Sequence, residues 1–414
     1  RGVNIFLVGL EALIRKYPDR ETGYAIIPAS YAGSVKKDCP EVEETVRVTN
    51  VNQGATLFRY EDRLFEERTV LNADSTFFKV FQIPVLKGDP EKCLAAPNSI
   101  VMTESTARRY FGEAEAVGKT IQRLDGQQNP QALTVTAVCA DLPKDVHFTF
   151  DLLGTTSGVE FFNQPNHVSF SVYTYFLLKP GADSKALEPK FPGIVDKYAA
   201  GEIQRNFGVN YDEYRAAGNG YHYFLQPVQD IHLRSHLEYE ALPTGSATMV
   251  YLFTVIAGFI LLIACINFMN LATARSAERA REVGIRKTLG SERGQIAGQF
   301  LFEAILISLL AAVVGVGLAQ GILPTFNQLA DKQISLGQFI SPVTVIGFLA
   351  FAVLTGLLAG SYPAAVLSGF NPIEVLKGKF TSHTKGVWLR NGLVVFQFAI
   401  SICLIISTIV DFNQ

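Results

Sequence analysis

The sequence predicts an α+β globular domain followed by an α-helical transmembrane bundle with four spans in this chain. Three observations point there. Residues 1–245 alternate short strand and helix patterns without a clean βαβ repeat, which is the signature of an α+β layer arrangement. From residue 249 onward the chain runs in apolar stretches, and a spanning helix needs roughly 20 such residues. Charged residues make up only 18% of the 414 positions, where a soluble domain carries about 25%.

The elements of the first part follow from local pattern. Residues 31–37, ahead of Pro40, read as a short helix, and residues 45–51 (TVRVTNV) alternate like a half-buried strand. The aromatic-rich residues 75–81 precede a turn at Lys87-Gly88-Asp89-Pro90. A short strand at 99–102 leads to Thr103, which can cap a helix running to Phe111, with Gly112 ending it. Residues 133–138, 173–178 and 222–231 read as further strands. Three domains are expected: 1–245 α+β, 249–380 transmembrane, and 387–414 as the first span of a second half. The spans fall at about 249–272, 296–323, 343–367 and 393–410.

The stretch between the first two spans organises the rest. Arg275, Arg279, Arg281, Arg286, Lys287 and Arg293 stand there against Glu278, Glu282 and Glu292. Each Arg or Lys at a helix centre in lipid would cost about 2.5–3.5 kcal/mol, so this spacer lies in water. By the positive-inside rule it faces the cytoplasm, as does the loop carrying Lys377, Lys379, Lys385 and Arg390, which places residues 1–245 outside. Glu282 and Arg286 are spaced i,i+4, and Glu278 and Arg281 i,i+3, for pairing along one helical face. Gly290 is placed to stop that helix and Ser291 to cap the next. On charge alone, the spacer is equally a solvated topology signal.

The run NFMNLATARSAERAREVGIRKTLGS (267–291), followed by QFLFEAILISLL (299–310), resembles the core motif of FtsX-like and MacB-like permeases. These are the membrane subunits of type VII ABC transporters. SYPAAVLSGFNPIEVLKGK (361–379) is similar to the end of the same domain. FFKVFQIPVLKGDP, NSIVMTESTARRYFG and LQPVQDIHL resemble parts of the MacB-like extracytoplasmic domain. The resemblance implies that residues 274–289 form a helix that docks on a cytoplasmic ABC ATPase subunit and passes on its motion, with ATP bound by that partner and none by this chain. It also implies an inner-membrane location, a homo- or heterodimer of permeases, and a periplasmic adaptor or lipoprotein as a further partner. Members of the family carry a span before the outer domain and further spans after the point reached here, so this sequence is expected to lack a first span and most of a second half.

Other motifs are weaker. Residues 112–120 (GEAEAVGKT) resemble a phosphate loop, but five residues separate Gly112 from Gly118 where four are required. His232 and His236, with His222 nearby, have zinc-like spacing, yet Leu233 stands where a metalloprotease pattern needs Glu, so no metal site is expected. No Ser/His/Asp arrangement stands out, and no catalytic residue is expected. The net charge of −2 argues against nucleic acid. Five cysteines do not make a disulfide framework. Gly317 with Gly321, and Gly356 with Gly360, give GxxxG spacing for close helix packing, within one chain or across a dimer. Glu303, two turns into the second span, needs a partner such as an Arg of the loop. Two other classes remain open: a membrane-anchored sensor without ATPase coupling, and a membrane-anchored hydrolase using the His222, His232 and His236 region.

Overall fold

The computed structural model describes residues 5–13, 23–50, 54–124, 130–143, 146–274, 276–330 and 334–369, with isolated positions between 392 and 406. It divides into two compact units, 1–247 and 248–414. The fourth expected span and the 361–379 motif beyond Gly369 lie largely outside the described residues.

The first unit opens with β1 (Ile5–Leu13), β2 (Gly23–Tyr24), β3 (Ile27–Pro28), α1 (Tyr31–Asp38) and β4 (Val42–Thr49). Next come β5 (Thr56–Tyr60), β6 (Arg63–Glu67), β7 (Val70–Ala73), α2 (Phe77–Phe81), β8 (Val85–Gly88), β9 (Ser99–Thr103) and α3 (Glu104–Phe111). Then follow β10 (Thr120–Leu124), β11 (Pro130–Cys139), β12 (Leu152–Thr155), α4 (Glu160–Asn163) and β13 (Phe170–Leu178). The unit ends with α5 (Ser184–Leu187), α6 (Phe191–Tyr198), α7 (Ala200–Phe207), α8 (Tyr211–Ala216), β14 (Gly220–Pro227) and α9 (Val228–Arg234).

The fourteen strands among the described residues join one mixed sheet in the order β14-β1-β13-β4-β7-β12-β9-β11-β10-β5-β6, with β2, β3 and β8 off this path, paired to β1, β13 and β11. Among the described strands only β9 with β11 and β7 with β12 run parallel. Strand side chains alternate between faces, and here both faces are apolar. β1 gives Phe6, Val8 and Leu10 to one buried cluster and Leu7 to another. β13 likewise gives Phe176 and Leu178 to the first and Tyr175 to the second. Helices therefore cover the sheet on two sides: Tyr31 of α1 and Phe191 of α6 pack on one, Phe77 of α2 on the other. A third cluster gathers Phe58, Ile100, Met102, Tyr110 and Ile121.

Thr103 stands at the N-cap of α3, with Glu104 in its first turn, Arg108 and Arg109 in its last, and Gly112 at φ +64° beyond it. Charges of those signs complement the helix dipole, and glycine takes the left-handed φ at no steric cost. The expected strand at 222–231 is corrected: β14 ends at Pro227 and the chain turns into α9. Pro227 has no N–H to continue the ladder, and its fixed φ suits a helix entry. A strand, β10, follows the phosphate-loop-like residues, where a nucleotide site would need a helix. Cys39, Cys93, Cys139 and Cys265 are free and buried.

The second unit holds α10 (Ala247–Ala274), α11 (Ser276–Thr288), α12 (Arg293–Ala330) and α13 (Pro342–Ser368). Helices α10, α12 and α13 are long and apolar enough to cross a membrane. They are apolar on all sides, and large residues such as Val313, Leu318 and Ile346 stay exposed, as lipid-facing side chains do. At 1.5 Å per residue α12 is about 57 Å long, well beyond the ~30 Å of bilayer hydrocarbon. It continues through Pro324 to Ala330, past the 323 boundary read from the sequence. Near its end the Asn327 side-chain amide donates to Ile334 O at 2.8 Å and accepts from Ile334 N at 3.1 Å.

Candidate functional site: the loop helix between two apolar helices

Helix α11 carries the charges that keep it out of lipid, and its packing follows from where its few apolar residues fall. Val283 and, on α12, Ile296 are almost fully buried and line one small cleft of about 80 Å³ with Arg279, Arg286, Gln299 and Glu303. A chain of polar contacts runs along this cleft. Arg279 pairs with Glu303, whose other oxygen accepts from Gln299 Nε2 at 3.3 Å. Gln299 Oε1 accepts from Arg286 Nη1 at 2.5 Å, and Arg286 Nη2 lies 2.7 Å from Glu282. The Arg279 guanidinium also stands 5.7 Å from the Phe300 ring centre, a cation–π distance. Glu303 thus meets its charge partner at the edge of the second span.

The other end of α11 is tied to α13. Lys287 Nζ donates to Ser368 O at 2.7 Å, and Arg293 Nε to Ser368 Oγ at 3.5 Å. A cation on the last carbonyls of a helix satisfies orphan acceptors and opposes the negative dipole end. Partial burial, then the charge of Arg293, hold the Lys287 ammonium below its ordinary pKa.

Gly290 stops α11, at φ +100°. Gly290 N donates to Lys287 O at 3.1 Å and Ser291 N to Arg286 O at 3.0 Å, which together form a Schellman motif. Ser291 therefore closes the first helix, and the cap of the second falls one residue later. Ile296 N reaches Glu292 O, and Gln295 Oε1 accepts from Glu292 N at 3.1 Å, half of a capping box.

Of the residues singled out in the sequence, Arg279, Glu282, Arg286 and Lys287 come together in this anchorage. Arg281 is exposed, Glu278 lies in α11, and Arg275 falls outside the described residues. Arg281, Ile285 and Leu289 are spaced i,i+4,i+8 on one stripe, with Ile285 47% and Leu289 82% exposed. Gly356 and Gly360 pack against α12: a Cβ at Gly356 would lie 2.7 Å from Ile305 Cα, and one at Gly360 2.5 Å from Ala304 Cβ. Gly317 and Gly321 face open space. Sequence reasoning missed Gln299 and Ser368. An uncharged amide and a backbone carbonyl carry no signal until the two helices are placed side by side. Among the described residues no group of three His, Cys, Asp or Glu could hold a metal, and His232 lies on α9 with His236 beyond its end.

Residues 6–193 match the family model of the MacB-like periplasmic core domain, and residues 254–372 that of the FtsX-like permease C-terminal domain. A macrolide export ATP-binding/permease protein MacB of Bdellovibrio bacteriovorus is 35% identical over 138 residues, 33% of this chain and 21% of that protein. The ABC transporter permease YknZ of Bacillus subtilis is 36% identical over 132 residues, 32% of each. Among solved structures, a permease-protein domain from Porphyromonas gingivalis aligns at TM-score 0.46 and 21% identity, over 55% of this chain and 90% of that domain. The two domain matches define a chain that joins a MacB-like periplasmic core domain to an FtsX-like permease domain, the latter over the apolar helices. Both an FtsX-like permease C-terminal domain and a MacB-like periplasmic core domain are thus present in one chain. The aligned segments span about a fifth to a third of the length of these two curated relatives.

Proposed function

We propose that this chain is the permease subunit of a type VII ABC transporter in which α11 couples ATP hydrolysis on a cytoplasmic ATPase to movement of the periplasmic domain. One observation carries the reading. Helix α11 is fastened to α12 through Arg279–Glu303 and Arg286–Gln299 and to α13 through Lys287–Ser368, while Arg281, Ile285 and Leu289 stay uncovered. A helix held this way moves its neighbours when it is moved, and exposed apolar residues outside lipid mark a surface for a partner. The chemistry then belongs to the partner, and this chain transmits displacement.

The curated MacB relative is named as an ATP-binding/permease protein, and YknZ as a permease. Here the ATPase is placed on a separate chain. The permease sits in the plasma membrane with several spans, residues 1–245 on the periplasmic side, as a homo- or heterodimer. Gly317 and Gly321, open within one chain, offer a surface for the second copy. The output is efflux, lipoprotein or lipid extraction, or transmembrane signalling.

The test is affinity purification from the native membrane with mass spectrometry of what accompanies the chain. An ABC ATPase is expected, reduced tenfold or more by Arg281→Glu combined with Leu289→Asp, since such a contact centre is worth at least ~1.4 kcal/mol. Recovery of no ATPase, or recovery untouched by the double change, would reduce α11 to a topology signal beneath a sensor domain.

A further inference from the structure

Three side chains remote in sequence meet in the first unit. Ser34 sits on α1, His167 in the segment entering β13, and Glu202 in the first turn of α7. Ser34 Oγ lies 2.9 Å from His167 Nε2, and His167 Nδ1 lies 2.7 Å from Glu202 Oε1. The second carboxylate oxygen, Oε2, accepts from the His167 backbone N–H at 2.7 Å. The ring also stacks on Tyr198, 5.5 Å between centres. Glu202 and Ser34 are buried, and the His167 side chain is only 11% exposed.

The proton positions follow from donor chemistry. A carboxylate only accepts, so the neutral imidazole carries its proton on Nδ1 facing Glu202. Nε2 is left with a lone pair aimed at the Ser34 hydroxyl. The same hydroxyl has a longer alternative, Ser30 O at 3.2 Å, to which it turns once His167 is protonated. A nucleophile in reach of a base, with the base oriented by a third group, is the arrangement that activates a serine.

Ser34 and His167 border a cavity of about 420 Å³ that Gly33, Lys37, Phe162 and Tyr198 also line. That volume suits a small ligand. At Gly33, beside Ser34, no atom stands within 4 Å of where a Cβ would be. The Ser30 hydroxyl is directed to Gln164 O and accepts from Asn166 N, and no side chain caps α1. Lys37, one turn further along α1, brings a positive charge to the lining of the same cavity.

We propose that Ser34, His167 and Glu202 form a nucleophilic site for small carboxylic esters, independent of the permease reading. Ser34 Oγ bonds to the acyl carbon as its proton passes to His167 Nε2. The ester C–O bond then breaks and His167 returns that proton to the leaving alkoxide. Water, deprotonated by the same imidazole, releases the carboxylic acid and restores Ser34. Glu202 is a positioning residue that holds the ring and its tautomer.

The test treats the detergent-solubilised full chain with a fluorophosphonate probe and maps the adduct by peptide mass. Labelling of Ser34 is expected, slowed ~10²-fold or more by His167→Gln, the scale of general-base assistance. A Ser34→Cys variant separates this site from a structural brace. Its alkylation by iodoacetamide should stay fast at pH values where an ordinary thiol, pKa about 8.5, is protonated, and should lose that advantage with His167→Gln. A Ser34 that stays unlabelled, or rates indifferent to His167→Gln, would overturn the proposal.

Discussion

Replacing Gly356 by Ala adds one methyl to the seam between α12 and α13, and the structure sets its consequence. The new Cβ would stand 2.7 Å from Ile305 Cα and 3.1 Å from Ala304 O, where carbon contacts settle at about 3.5–4.0 Å. Both neighbours are backbone atoms and cannot rotate away, so the helices must part by about 1 Å. Overpacking of this kind costs about 1–3 kcal/mol. Parting also stretches the 2.7 Å bond from Ser308 Oγ to Ala352 O, which in a membrane is worth about 0.6 kcal/mol. A loss of about 2–3 kcal/mol is expected for Gly356→Ala. Gly317→Ala and Gly321→Ala meet nothing within 4 Å and should stay within about 0.5 kcal/mol. The assay is unfolding of the full chain in mixed SDS micelles, followed by circular dichroism. Equal stability of Gly356→Ala and Gly317→Ala would refute the packing of α13 on α12 at this point.

Two further outcomes come from the first unit. Burial holds His147, bonded to Tyr175 Oη at 3.1 Å, at a pKa of about 4, against about 6.5 in an unfolded chain. Between those values the unfolded chain binds the extra proton, so stability falls as pH drops from about 6.5 toward 4, by about 3 kcal/mol in all. A His147→Gln variant should lose this component of the acid-unfolding curve, and curves of unchanged shape would count against it. Burial also pushes the Cys93 thiol up to about 11 and the Cys139 thiol up to about 12. Both should resist N-ethylmaleimide in the native protein and react on denaturation, because the thiolate is the nucleophile. Ready native labelling would contradict their burial.

Much of the fold is legible in local pattern, because local chemistry decides it. The Thr103 to Gly112 helix, the 133–138 and 173–178 strands and the three apolar helices are set by caps, alternation and unbroken hydrophobicity. The 222–231 segment misled because apolar alternation continues past Pro227, whose missing N–H decides the matter. Ser291 looked like a cap because serine is a good one, but Gly290 draws its N–H back to Arg286. At the loop helix, the i,i+4 pair Glu282–Arg286 was readable from spacing alone. The ties to Gln299 and Ser368 were not, since they depend on helices meeting across long sequence separations. Ser34, His167 and Glu202 are hidden for the same reason, each sitting in a stretch with no motif of its own.

The place of β1 has a consequence for how the chain comes to be folded. Ile5 pairs with Leu177 and Phe6 with Pro227, so the first strand is held between two of the last to be made. During synthesis it waits with its Leu7, Val8 and Leu10 unburied until those partners have emerged. Pairing across such distances is slow, and exposed apolar strand in the interval is an aggregation hazard. The domain therefore closes late, once β13 and β14 have come to either side of β1.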